Sequence, residues 1–226
     1  MVKAMKTPRR HRRPAVSWPP LLLVAGVGAC TPFGVVSGMG ASVATYAAEE
    51  RGVDGAATDT MIDARIRSAW FEADADLVAT LGLTVRERRV LLTGAVRDED
   101  QLVTAVRLAW QPEDVVEVIN EIRVVPEGDL GDAARDRLIA SDLRTRLLLD
   151  AQVKSINYAV EVSDRVVYLF GVAQTAAERK RVMRWARQTD YVRRVVDHTL
   201  LRDDPRRMAP SETDADVAGG TIGEGQ

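Results

Sequence analysis

Side chains able to do covalent or acid–base chemistry are scarce in this 226-residue chain. It holds one cysteine, Cys30, and two histidines, His11 and His198. Zinc sites draw on clustered Cys, His and carboxylate ligands, and a nucleophile needs a base beside it. Neither arrangement finds its parts here. Acids are plentiful, but Asp98-Glu99-Asp100 and Asp74/Asp76 fall in a turn and a loop. There they suit helix N-terminal charge better than general acid–base work. Gly94 and Gly171 lack the Gly-rich surroundings of a phosphate loop, so a positive φ or close backbone packing is their expected role. His198 reads as a partly exposed strand residue. No enzyme, cofactor or metal is expected.

What the chain does offer is unevenly placed charge. Residues 59–125 carry eight arginines against thirteen acids, a net of −5, while residues 132–202 carry fourteen cations against nine acids, a net of +5. Within the basic part, Lys180, Arg184 and Arg187 are spaced i, i+4, i+7 and share one helix face, with Val182, Trp185 and Ala186 turned the other way. Arg179, Arg181, Arg193 and Arg194 flank that face, and Arg135, Arg137, Arg144 and Arg146 lie on an earlier helix. Each such cation near an anionic membrane contributes about 1 kcal/mol. The rival reading of the same face is a solvated surface that serves solubility.

These charges ride on a duplication. Residues 59–125 and 132–201 align without a gap at an offset of 77. Ile62, Ile66 and Trp70 fall on Ile139, Leu143 and Leu147. Val90, Leu92 and Gly94 fall on Val167, Leu169 and Gly171. The apolar pattern repeats while the polar positions differ almost freely, as two copies of one small fold should. Each copy opens with a helical stripe, for which Asp59 or Thr60 is available as N-cap in the first. Period-two runs then flank a polar turn at Arg86–Arg89 and at Ser163–Arg165, the pattern of a hairpin. A second helix follows over Asp98–Trp110 and over Thr175–Thr189, where Thr175 and Glu178 form a capping box. A β-branched run, Val115–Val125 or Val192–Leu201, closes each copy. The fold class is therefore α+β: two αββαβ units, each a three-stranded sheet with both helices on one face. Six residues, Pro126–Gly131, join them, so the copies must lie close together.

The N-terminal stretch reads as a targeting segment. Six Lys and Arg residues precede a short apolar run, Leu21–Ala29, which is too short to span a bilayer and suited to a secretory h-region. Val27-Gly28-Ala29-Cys30 resembles a bacterial lipobox, in which the cysteine is acylated. An ordinary signal peptide or a buried thiol are the other readings. Residues 1–29 are then a lipoprotein signal peptide, residues 30–58 a flexible Gly/Ala-rich tether, and residues 202–226 a disordered acidic tail.

The αββαβ order, the strands Val90-Leu91-Leu92-Thr93-Gly94 and Val167-Tyr168-Leu169-Phe170-Gly171, and the ending Val115-x-x-Val118-Ile119-Asn120-x-Ile122 resemble BON domains. Two in tandem behind a lipobox look like the dual-BON outer-membrane lipoproteins, the kind that includes the division- and outer-membrane-stress-associated lipid-binding proteins. The resemblance implies a non-catalytic protein anchored through Cys30 to the periplasmic face of the outer membrane. It implies binding of anionic phospholipid, mainly by the second domain, in support of envelope integrity. Nucleic acid would suit the basic face chemically, but the expected exported location argues strongly against it. In the family a large aromatic near the start of the second domain's first helix enters the membrane. The matching position here is Leu138, either an inserting residue without tryptophan's interfacial preference or a core residue beside Ile139. Leu138, Arg135, Lys180, Arg184 and Arg187 are the expected phospholipid-binding residues. The rival function is an envelope protein–protein interaction module that the lipid anchor only localises.

Overall fold

The structure is a computed structural model and describes residues 52–125 and 133–208. Cys30, the signal segment, most of the tether and the tail beyond Met208 lie outside the described residues. Helix α1 (Gly52–Ala73) and a short α2 (Ala75–Thr80) lead into strands β1 (Leu81–Arg86) and β2 (Arg89–Val96). Helix α3 (Glu99–Ala109), β3 (Glu117–Asn120) and β4 (Arg123–Val124) complete the first domain. The second has α4 (Ala133–Leu149), a single 3₁₀ turn (Ser155–Asn157), β5 (Tyr158–Ser163), β6 (Val166–Ala173), α5 (Ala176–Gln188) and β7 (Arg194–Leu201). A last short helix, α6 (Pro205–Met208), follows it.

Three boundaries differ from the sequence reading. α1 begins at Gly52, so the end of the expected tether is helical, and Asp59 lies inside that helix rather than at its N-cap. The closing strand of the first copy is split, because Asn120 Oδ1 accepts from Ile122 N (3.0 Å) and turns the chain between β3 and β4. Part of the expected disordered tail is the α6 turn, pinned where Arg207 pairs with Glu87 at 2.6 Å.

In each sheet the middle strand pairs antiparallel with the hairpin partner and parallel with the closing strand, giving the orders β1-β2-β3 and β5-β6-β7. Both helices of a copy pack on one sheet face. Ile62, Ile66 and Trp70 meet Leu83, Val90 and Leu92 in the first core; Ile139, Leu143 and Leu147 meet Val160, Val167 and Leu169 in the second. The two second helices start as their sequences dictate. Asp98 Oδ1 accepts from Gln101 N (2.8 Å), and Thr175 Oγ1 accepts from Glu178 N (3.1 Å). Gly94 (φ +106°) and Gly171 (φ +120°) lie inside β2 and β6, and a Cβ at either would strike a carbonyl oxygen, Thr80 O or Asn157 O.

The other face of each sheet is also covered, by the other domain. Leu91 packs with Val166, Tyr168 and Phe170 in a third apolar cluster. Four layers result, helix–sheet–sheet–helix, with the two helical layers on opposite outsides. Equivalent residues meet across this junction. Thr84 Oγ1 donates to Glu161 Oε1 (3.1 Å), and His198 Nε2 lies 2.9 Å from Glu121 Oε1, each pair separated by the repeat offset of 77. A residue contacts its own equivalent only near a two-fold axis, so the domains pack as a pseudo-symmetric dimer.

The duplication also extends to polar groups. Asp59 accepts from Glu87 N and Arg88 N (2.9 and 2.8 Å), and Asp136 accepts from Asp164 N and Arg165 N (2.7 and 2.8 Å). Those four turn residues all have φ between +48° and +61°, the geometry of a type I′ hairpin. Arg67 Nη2 donates to Leu83 O, and Arg144 Nη2 donates to Val160 O, so a helix arginine occupies a carbonyl on each outermost strand.

Candidate functional site

α4 and α5 form the outer layer of the basic domain and carry every expected phospholipid-binding residue. Asp150, just beyond α4, ties the two helices together: it accepts from Arg181 Nε and from Trp185 Nε1 (2.6 Å). Those two bonds hold its carboxyl down at about 2. Val182 and Ala186 face the core, which leaves Lys180, Arg184 and Arg187 exposed on the solvent side of α5. Three of the four flanking arginines are neutralised. Arg179 pairs with Asp197 (2.7 Å), Arg181 with Asp150 and Arg193 with Asp164 (3.1 Å). Lys180, Arg184 and Arg187 make no ion pair with a described residue, and they share the outer face of α5 as their spacing requires.

Leu138 is 65% exposed, which removes it from the core beside buried Ile139. Arg135 lies one turn earlier on the same face of α4. Its guanidinium sits 5.1 Å from the ring centre of Tyr191, in the loop between α5 and β7. Tyr191 is 64% exposed and held at φ +67°, a backbone conformation unusual for a residue with a Cβ. An aliphatic, a cation and an aromatic thus share one patch. Sequence reasoning missed Tyr191, since no local pattern links residue 191 to residue 135. The described contacts do not join this patch to the Lys180–Arg187 stripe, though both belong to one helical layer.

The first domain shows which features belong to the fold and which to the site. Met61 stands where Leu138 does and is also exposed, at 55%, so exposure there comes with the fold. The flanking positions differ. Thr58 and Asp114 replace Arg135 and Tyr191, and Asp114 lies 3.9 Å from Arg65 instead of offering a ring. Val103 and Trp110 replace Lys180 and Arg187.

A cleft of about 510 Å³ opens between the domains, lined among others by Gly82, Thr93, Ala133, Arg137, Ala140 and Glu161. At the positions of its Gly82 and Thr93 the second domain has the larger Ala159 and the fully buried Phe170. Burial raises the Glu161 carboxyl, against the Thr84 hydrogen bond and the charges of Arg144 and Arg67. Two of the acids considered for catalysis have structural work: Asp74 caps α2 and accepts from Gln101 Nε2 (2.8 Å), while Asp98 caps α3. Among the described residues no group of His, Cys, Asp and Glu could hold a metal ion, and no helix is long and apolar enough to cross a membrane.

Duplicated αββαβ domains, of which the second has a cationic, partly apolar outer face, define a class of tandem binding modules. The chain belongs to the BON domain family, whose defining pattern matches residues 58–126 and 135–203. An uncharacterized protein in the gshII 5′ region of Anaplasma centrale is 35% identical over 127 residues, covering 56% of this chain and 84% of that protein. Osmotically-inducible protein Y of Escherichia coli strain K12 is 29% identical over 139 residues, 61% of this chain and 69% of its own length. The outer membrane lipoprotein DolP of Haemophilus influenzae is 30% identical over 145 residues, 63% of this chain and 75% of its own.

Proposed function

We propose that this protein is a lipid-anchored, non-catalytic component of the bacterial envelope. It sits at the periplasmic face of the outer membrane and binds anionic phospholipid through its second BON domain. The observation that carries this reading is the patch of Arg135, Leu138 and Tyr191 on the same helical layer as three cations that make no ion pair with a described residue, a combination the first domain lacks. Leucine and tyrosine suit the boundary between headgroups and acyl chains, and the cations suit phosphate. The likeness to an outer membrane lipoprotein supports the location, and Cys30 supplies the anchor. An anchor near the surface raises the domain's effective concentration there.

Vesicle flotation of the chain from Gly52 onward tests this. Binding should be stronger to phosphatidylglycerol-containing vesicles than to phosphatidylcholine alone. Replacing Lys180, Arg184 and Arg187 by Gln removes about 3 kcal/mol of attraction, roughly a 100-fold loss of partitioning. Tyr191→Ala and Leu138→Ser should weaken binding to the same vesicles further. Equal flotation with neutral and anionic vesicles would refute the reading. Labelling of wild type, but not of Cys30→Ala, with a palmitate analogue tests the anchor separately.

A further inference from the structure

The outer stripe of α5 has a direct counterpart in α3 that keeps only one of its three cations. By the offset of 77, Lys180, Arg184 and Arg187 correspond to Val103, Arg107 and Trp110. All three residues of the α3 stripe are solvent-facing, with Val103 59% and Trp110 50% exposed. Acids surround them. Most carboxylates of the first domain are engaged within it or across the domain junction: Asp59 by the hairpin turn, Asp63 by Arg67, Glu117 by Arg89, Glu87 by Arg207. Exposed acids without such a bond to a described residue include Glu99 and Asp100 at the start of α3 and Glu113 just beyond its end. One outer face therefore carries an exposed valine and tryptophan with a single cation, Arg107, and acids at both ends, and the other carries three cations. Because the sheets pack against each other, these faces lie on opposite sides of the molecule.

We propose that copies of this chain associate head to tail, the α3 face of one against the α5 face of the next. The match is chemical. Trp110 offers a ring to Arg184 or Arg187, and Glu99, Asp100 and Glu113 offer carboxylates to the cations. Two faces that differ and point apart make a heterologous contact, which extends as a row rather than closing as a symmetric dimer. The cationic face is the one assigned above to anionic lipid, so membrane and neighbouring copy compete for it. Association between copies does not itself depend on lipid binding, and the test contains no lipid.

The experiment is sedimentation velocity on the chain from Gly52 to Gln226, which contains both cores and the interdomain contacts of the described residues. At low salt the mean mass should at least double over a roughly 20-fold rise in concentration. It should return to monomer at about 0.5 M salt, where charges are screened beyond a few ångströms. Trp110→Ser with Glu99→Gln, Asp100→Asn and Glu113→Gln removes one face, and Lys180→Glu with Arg184→Glu and Arg187→Glu removes the other. Each variant alone should stay monomeric, with an unchanged circular dichroism spectrum. Mixed together they should form a one-to-one pair, since each retains the face the other lost. A wild-type chain that stays monomeric at low salt, a mixture that does not pair, or either variant still assembling alone overturns the proposal. Loss of vesicle binding with assembly intact would instead refute only the lipid reading.

Discussion

Asp136 should be worth more to this protein than its place on a helix surface suggests. Its carboxylate accepts two backbone N–H bonds, from Asp164 at 2.7 Å and Arg165 at 2.8 Å. Both donors belong to a type I′ turn whose central residues sit at φ +48° and +60° without being glycine. Hydrogen bonds to a charged group contribute about 1.5–3 kcal/mol each, and half-burial favours the lower end. Two of them give about 3 kcal/mol, from which alanine's better helix propensity recovers roughly 0.5. Asp136→Ala should thus cost about 2.5 kcal/mol, read as a lower urea midpoint at unchanged slope. Adding Arg165→Gly places a glycine directly after Asp164, a pair that favours type I′ unaided, and should restore about 1 kcal/mol. Asp59→Ala, the same lesion in the first copy, should cost at least as much, because Asp59 is only 2% exposed. A loss below about 0.5 kcal/mol for Asp136→Ala, or no relief from Arg165→Gly, would refute the idea that these carboxylates hold the turns.

Phe170→Ala should destabilise by about 3–5 kcal/mol, since it empties a fully buried site of the interdomain cluster and removes the ring 5.0 Å from Arg89. Calorimetry would show this as a lower transition temperature, and a small effect would mean the sheets do not pack as described. Asp150 titrates at about 2 against an ordinary value of 3.8, so its contribution to stability is present above about pH 4 and lost as pH falls toward 2. Urea titrations at pH 2–5 should show Asp150→Asn with a shallower acid loss than wild type. Glu161 has the opposite sign. Its carboxyl is raised by burial, so its contribution is complete below the ordinary glutamate range and declines as pH rises through the raised value. Glu161→Gln should flatten that decline, and an unchanged pH profile would show that the carboxyl is not buried at the junction.

The repeat offset and the apolar periods made both cores legible in the sequence, down to Ile62, Ile66 and Trp70 against Ile139, Leu143 and Leu147. Caps were legible too, because Thr175 and Glu178 act over three residues. Contacts made by polar atoms across 16 to 29 residues were not. Asp59/Asp136 and Arg67/Arg144 are kept at equivalent positions, but among freely differing neighbours they looked like ordinary surface charge. The face-to-face packing of the sheets did leave a trace. Val166-Val167-Tyr168-Leu169-Phe170 is apolar without alternation, as a strand buried on both sides should be. The same limit applied to the site. Lys180, Arg184 and Arg187 share one helix and were found by spacing, whereas Tyr191 reaches Arg135 only through the tertiary fold.

The two-fold packing of the sheets has a consequence for how firmly the halves must hold. Only seven residues separate Val125 from Ala133, so each half meets the other at an effective concentration in the millimolar range. A contact too weak to pair separate molecules at cellular abundance is saturated under that constraint. The junction is therefore free to carry polar and imperfect elements, among them the Glu121–His198 pair, the Thr84–Glu161 bond and the open cleft beside Thr93. A pair of separate subunits would have to fill such gaps to stay together. Joining the halves in one chain lets their two outer faces diverge in charge while the inner ones remain merely adequate.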